Sequence, residues 1–417
     1  MDVSYELNDK DWDYLAEGNQ HLILKYLCNP FEKFENFLNG KVLKIEKIYN
    51  QKDPEENSLK IQNINDLLNH YVQRNFYKNY PELLAYLPFE EKILVSNKTE
   101  FLMKMSTKIE EVRPENRKAK SMNIFSDVIL SENLNILYPN TKGFIIEIKP
   151  KSPLNETFEE NEFKAIFTKN FAKFHESMGL IYESLKAKLE ELRFFKMQVF
   201  RSGEKEEKKS EFDPRMLFSQ EDTNVRKALE ALLKTPMNNF LVHYNNTGVE
   251  MSDLLDEITK TLMINKSMFG MILDFQKSFS GNNEEIKKMA EKLDLDQFEE
   301  ELQSNSDLLT KEQEEKNEKW VYFNRILKFL VSLTWKDLGI IINFVMDEGR
   351  DEINKVLLKC GFIRIEGPIK GFYKFGLIDM KLKGIQKLLE FDKTQRKVNE
   401  IFVSNLINSY VQENQLD

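Results

Sequence analysis

The segment Gly143-Phe144-Ile145-Ile146-Glu147-Ile148-Lys149 limits what this chain can fold into more than any other. Its alternation of apolar and charged residues has the two-residue period of a β-strand, and Pro150 marks the strand's end. On such a strand Glu147, Lys149 and Lys151 share one face, while Ile146 and Ile148 turn toward a core. Further strand-like runs are His21 to Tyr26, Lys41 to Ile45 and 372–383. Helical spacing dominates 64–87, with Asn63 as N-cap, Asp66 in the first turn and Pro81 breaking the helix. It also dominates 158–200, 224–233 and 252–320. The pattern predicts an α+β chain in which a strand-rich N-terminal lobe over 1–125 precedes a larger, helix-rich lobe over 126–417. The second lobe carries an acidic helical insert near 252–320.

The bulk numbers narrow the function. In 417 residues, 41% hydrophobic and 12% aromatic side chains are enough for a sizeable core, which excludes global disorder. No apolar stretch is long enough for a transmembrane helix, and the first residues lack the basic and apolar regions of a signal peptide. A cytoplasmic or nuclear location without membrane insertion is therefore expected. Cys28 and Cys360 are too few for a disulfide framework. Together with His21, His70, His175 and His243 they show no ligand spacing, so no structural zinc is expected. The net charge is −9, but 281–319 alone holds 13 acidic and 6 basic side chains, a local −7, which leaves −2 for the rest. No long basic stripe runs along the chain, so nucleic acid is not an expected partner. A monomer is expected.

Four segments carry candidate chemistry. Gly18, in Ala16-Glu17-Gly18-Asn19-Gln20-His21, lets backbone N–H groups approach phosphates, and Lys44 on the next strand-like run supplies a point charge. Glu147-Ile148-Lys149-Pro150-Lys151 puts two cations and a carboxylate on one face. The stretch 193–240 holds Arg201, Phe212-Asp213-Pro214 and Pro236-Met237-Asn238-Asn239, whose amides can donate to phosphate oxygens. Asp337, in Thr334-Trp335-Lys336-Asp337, and Asp379, in Ile378-Asp379-Met380-Lys381-Leu382-Lys383, offer carboxylates at strand ends, one to accept a hydroxyl proton and one to hold Mg²⁺. Taken singly, each has a plainer reading as a hairpin, a solvated edge, a turn or a surface aspartate.

Taken together and in this order, these segments resemble the inositol-pentakisphosphate 2-kinase family, with Glu-Ile-Lys-Pro-Lys the most distinctive match. The resemblance spans roughly 11–391. It implies a two-lobed inositol-phosphate-kinase-like fold with ATP between the lobes. It also implies Mg²⁺-assisted phosphorylation of inositol 1,3,4,5,6-pentakisphosphate at its 2-hydroxyl, giving the hexakisphosphate (phytate). Carried over by motif, Gly18, Asn19, Lys44 and Glu147 serve the nucleotide. Arg117, Lys149, Lys151, Arg201, Asn238, Lys383 and Lys387 grip the substrate phosphates, Asp337 is the base, and Asp379 is a metal ligand. Lys381 stands where some relatives have a second aspartate, Phe391 where a tyrosine is expected, and Arg201 where a lysine is.

A charge argument supports the grouping. Five phosphates carry about −8 to −10, and Arg113, Arg117, Lys149, Lys151, Arg193, Arg201, Lys383 and Lys387 come from distant segments that only a folded pocket could unite. Two rival readings are a kinase acting on a different inositol phosphate and a non-catalytic helical interaction protein.

Overall fold

The computed structural model describes residues 4–18, 21–27, 40–49, 56–75, 77, 80–88, 90–118, 120–134, 141–150, 214–219, 221–234, 240–245, 250–279, 283–304, 318–366 and 369–390. The N-terminal part runs β1 (Ser4–Tyr5), β2 (Trp12–Glu17), β3 (His21–Tyr26), β4 (Lys41–Tyr49), α1 (Glu56–Asn75), β5 (Glu90–Val95), α2 (Lys98–Ile109), β6 (Lys120–Met122) and β7 (Val128–Glu132). Its strands form one sheet in the order β1-β5-β7-β4-β3-β2, with β6 also paired to β4. Leu22 and Leu24 of β3 and Leu43 and Ile45 of β4 turn to one side of this sheet. There they pack on Phe101, Leu102 and Met105 of α2. Because side chains alternate along a strand, His21, Ile23 and Lys44 stand on the opposite face, where Ile23 and Lys44 are register partners.

The C-terminal part runs β8 (Gly143–Ile148), α3 (Pro214–Leu217), α4 (Asp222–Lys234), β9 (Phe240–Asn245), α5 (Met251–Ile264), α6 (Lys266–Gln276), α7 (Asn283–Glu291), α8 (Leu295–Ser304), α9 (Glu318–Asp337), β10 (Gly339–Met346), α10 (Asp351–Lys359), β11 (Ile363–Ile365), β12 (Gly371–Ile378) and α11 (Gln386–Leu389). The second sheet has the order β11-β12-β10-β8-β9, every neighbour antiparallel. Phe144, Ile146 and Ile148, with Ile340, Ile342 and Phe344, face a large helical core. On the other face Ile145 and Ile341 join Leu134 and Ile378 in a small apolar cluster. With apolar cover on both sides, β10 reads as a nearly continuous apolar run, not an alternating one.

The chain leaving the first sheet is fastened to the second. Gly376 has no side chain where one would collide, since a Cβ there would lie 2.4 Å from Leu134 Cδ1. Asn343 Nδ2 donates to the Leu134 carbonyl at 3.2 Å. The expected boundary at residue 125 falls between β6 and β7, both strands of the first sheet. Helix α1 is the exception to the lobe division. It lies between β4 and β5 in sequence, yet its Ile64, Leu68, Tyr71 and Val72 are buried in the large core.

The mixed α+β composition, strand-rich first and helix-rich second, is as expected. Three local readings change. The helix placed at 64–87 runs over Glu56–Asn75, so Asn63 sits inside it and caps nothing. The good helix formers Glu56, Leu59, Lys60 and Gln62 carry the helix further back. Past Pro81 only a tight 3-10 turn, Pro81–Ala85, remains. Asp337 does not end a strand; it is the last residue of α9, with β10 starting two residues later. The strand read at 372–383 stops at Ile378, where Asp379 takes φ 63°, a left-handed backbone that turns the chain out of the extended run. The helix read at 158–200 lies outside the described residues.

Candidate active site

The antiparallel register brings three segment ends to one edge of the second sheet. Ile340 pairs with Ile148 and Gly339 with Ile378, so the end of β8, the start of β10 and the end of β12 lie side by side. Glu147 and Lys149 come from the first of these, Asp337 from the helix entering the second, and Asp379 and Lys383 from the chain leaving the third.

The side chains meet there. Lys149 Nζ lies 3.3 Å from Asp379 Oδ2 and 3.9 Å from Glu147 Oε1. Lys383 Nζ donates to Asp337 Oδ2 at 2.5 Å. Burial of the Lys149 amine lowers its pKa, but the carboxylates of Asp379, Asp337 and Glu147 outweigh that and hold it above the ordinary lysine range. Lys149 is therefore a firm cation, shared among three acids. Glu147 Oε1 lies over Gly339, within 3.2 Å of where a Cβ would be. Asp379 is the one residue other than glycine with positive φ among those described. Such backbone outliers gather at functional sites, and aspartate tolerates this conformation better than most residues.

The first sheet comes near the chain that follows β12, where Lys381 acts on His21. The Gly18 N–H donates to the His21 carbonyl at 2.9 Å, closing the β2–β3 hairpin, and a Cβ on Gly18 would meet nothing within 4 Å. Burial pushes the His21 pKa down to about 4, with Lys381, Lys44 and Lys47 adding to the fall. His21 is thus neutral at physiological pH, with Lys44 and Lys47 of β4 and Lys381 beyond β12 acting on it.

The candidates divide. Glu147, Lys149, Asp337, Asp379 and Lys383 form one group. Lys44 is ion-paired with Glu90. Arg117 belongs to a different cluster, where its carbonyl accepts from Arg113 Nη2 at 3.0 Å and its charge acts on Tyr14. Lys387 pairs with Glu390 at 2.9 Å on the solvent side of the short helix α11. Asn19, Lys151, Arg201 and Asn238 lie outside the described residues. Arg113, counted above among the phosphate-binding cations, is committed elsewhere. It is buried and grips Glu17 through Nε at 3.0 Å and Nη2 at 3.1 Å.

The sequence model of the family described as inositol-pentakisphosphate 2-kinase matches residues 14–397. The chain belongs to this family. It is accordingly a transferase whose substrate class is inositol phosphate. Among curated proteins the chain has no match. Among the described residues no helix is long and apolar enough to cross a membrane.

Supporting residues in this inositol-pentakisphosphate 2-kinase family member are ones that the sequence pattern does not mark. Asn69 Oδ1 accepts from the Leu382 N–H at 2.9 Å and Asn65 Oδ1 from the Ile385 N–H at 2.8 Å, so α1 holds the chain beyond Asp379. Thr334 Oγ1 accepts from the Lys383 N–H at 2.8 Å, which ties that chain to the last turn of α9. Trp335, fully buried, stacks on Phe275 with centroids 4.2 Å apart and donates from Nε1 to Tyr77 Oη at 3.3 Å. The i, i+4 spacing of Asn65 and Asn69 on one face of a helix is the only trace of this in the sequence.

Proposed function

We propose that this chain transfers the γ-phosphate of ATP to the 2-hydroxyl of inositol 1,3,4,5,6-pentakisphosphate, giving inositol hexakisphosphate. The observation that carries this reading is the convergence of Glu147, Lys149, Asp337, Asp379 and Lys383 at one sheet edge, in a chain of this family. Phosphoryl transfer asks for little covalent chemistry from a protein; it needs positioned cations, a carboxylate to take the hydroxyl proton and a metal site. In this reading Asp337 accepts the proton, and its ion pair with Lys383 holds the carboxylate in place until substrate arrives. Lys149 and Lys383 exchange their carboxylate partners for substrate phosphates as these enter, with Lys151, Arg201, Asn238, Arg117 and Lys387 assigned to the remaining phosphates. The nucleotide is assigned to the cleft between the sheets, with Gly18, Asn19 and Lys44 at its phosphates and Glu147 beside it.

Among the described residues no three His, Cys, Asp or Glu side chains cluster as a ready-made metal cage. That suits Mg²⁺, which in kinases is held by one or two carboxylates and completed by substrate phosphates and water. Asp379 would hold it, and the ion would offset charge on the transferred phosphoryl group.

Incubating the purified chain with ATP, Mg²⁺ and inositol 1,3,4,5,6-pentakisphosphate, followed by anion-exchange chromatography, tests the reading. Less phosphorylated inositols serve as competing acceptors. A peak of hexakisphosphate that requires ATP is expected, and a preference for another acceptor would overturn the proposed substrate. Replacing the base in Asp337→Asn should lower kcat by about 10²- to 10⁴-fold while ATP binding persists; near-normal turnover would remove Asp337 from that role.

A further inference from the structure

Gln276 is fully buried at the C-terminal end of α6, inside the insert that the sequence left without a role. Its side-chain amide nitrogen makes two hydrogen bonds, to the Pro150 carbonyl at 2.7 Å and to the Trp335 carbonyl at 2.9 Å. Both acceptors are main-chain groups that secondary structure leaves unpaired. Pro150 lies beyond the end of β8, and Trp335 is in the last turn of α9, where carbonyls have no intrahelical N–H to receive. One acceptor is a residue from Lys149 and the other two residues from Asp337. A glutamine suits the task, because one uncharged NH₂ group supplies both donors and no desolvated charge is left behind.

We propose that Gln276 is a positioning residue that sets the spacing between Lys149 and Asp337 by clamping the two chain segments that carry them. Around it, and apart from the two hydrogen bonds of the clamp, the Ser332 hydroxyl donates to the Gln276 main-chain carbonyl at 2.6 Å, and the neighbouring Phe275 ring stacks on Trp335. The inference rests on the roles assigned above to Lys149 and Asp337. It adds that a helix of the insert, remote in sequence from both, completes their geometry. Losing the two donors frees two buried carbonyls and lets the segments shift independently. A displacement on the scale of an ångström in a transfer site costs about 10²-fold in rate.

The test uses the full chain with Gln276→Leu, alongside Ser332→Ala, which alters the same packing but removes neither hydrogen bond of the clamp. For Gln276→Leu, kcat should fall by about 10²-fold while KM for ATP is unchanged. Amide hydrogen exchange should quicken in both 145–150 and 333–338 and not in the first sheet. Ser332→Ala should lower Tm and leave kcat intact. Gln276→His keeps one donor and should fall between wild type and leucine, so it decides the matter if the leucine variant does not fold. The proposal is overturned if Gln276→Leu keeps wild-type kcat, if both variants lose kcat in proportion to Tm, or if exchange quickens in neither segment. Should the wild-type chain convert no inositol pentakisphosphate, the proposed function fails while the exchange comparison still decides the clamp.

Discussion

Lys149 shows how one side chain can be assigned by its company. It is mostly buried, with 22% of its side chain exposed, among the carboxylates of Asp379, Asp337 and Glu147. A phosphorylated substrate would find there a cation already desolvated and already held. Lys149→Ala should therefore raise KM for the inositide more than it lowers kcat, and the increase should shrink as ionic strength rises. An unchanged substrate Kd in that variant would remove Lys149 from the site. Glu257 is the opposite case. It is fully buried on α5, and among the described residues both carboxyl oxygens lack a hydrogen-bond partner, with Lys260 Nζ 4.0 Å away. Burial raises its pKa above 4.5. The folded state thus binds this proton more tightly than the unfolded one, so stability is greatest below the unfolded value and falls as pH climbs through the folded value. Glu257→Gln should remove that fall and stabilise the protein by roughly 1–3 kcal/mol at pH 8, a gain that vanishes near pH 4; denaturant melts at the two pH values measure it. The motif residues Glu147, Lys149, Asp337 and Asp379 were legible in the sequence because charges there interrupt apolar runs. Arg113 was not: the number of cations in a sequence does not reveal that a carboxylate such as Glu17 has already claimed one.

Elements follow the same division. β3, β4, β8 and α4 lie close to where alternation and helical spacing put them, since local pattern and burial agree there. The expected start of α1 and the expected strand at 372–383 failed for local reasons. One was extended by helix formers upstream of the supposed cap, and the other was stopped by the backbone turn at Asp379. Elements of the first lobe are joined by a buried charged group. Glu17 at the end of β2 receives Lys47 from β4 at 2.6 Å and both Nε and Nη2 of Arg113, which follows α2. Burial raises the Glu17 pKa, and the hydrogen bonds from Arg113 and Lys47 more than reverse this, leaving it below 4.5. Its stabilisation is present above the unfolded value and lost as pH falls through the folded one. Glu17→Gln strands two buried cations and should cost about 3–5 kcal/mol, with a flatter acid limb in the stability profile. A loss below 1 kcal/mol by denaturant titration, roughly the worth of an exposed pair, would show that the group is solvated.

At the scale of the whole molecule, the α+β division, strand-rich first and helix-rich second, was readable from the order of strand-like and helical segments. The joining of the lobes was not, because it depends on contacts without local period: Leu134 against Gly376, Asn343 on the Leu134 carbonyl, and His21 near Lys381. The most consequential of these crossings is α1. Its apolar face is buried with helices that follow two hundred and more residues later, and its asparagines hold the loop behind Asp379. During synthesis the ribosome releases α1 long before those partners exist, so the small sheet emerges with an oily helix looped out of its middle. The halves are therefore not interchangeable cassettes. A cut at residue 134 would leave one fragment with an uncovered greasy flank and the other with a gap in its interior, and maturation of the small half waits on translation of the large one.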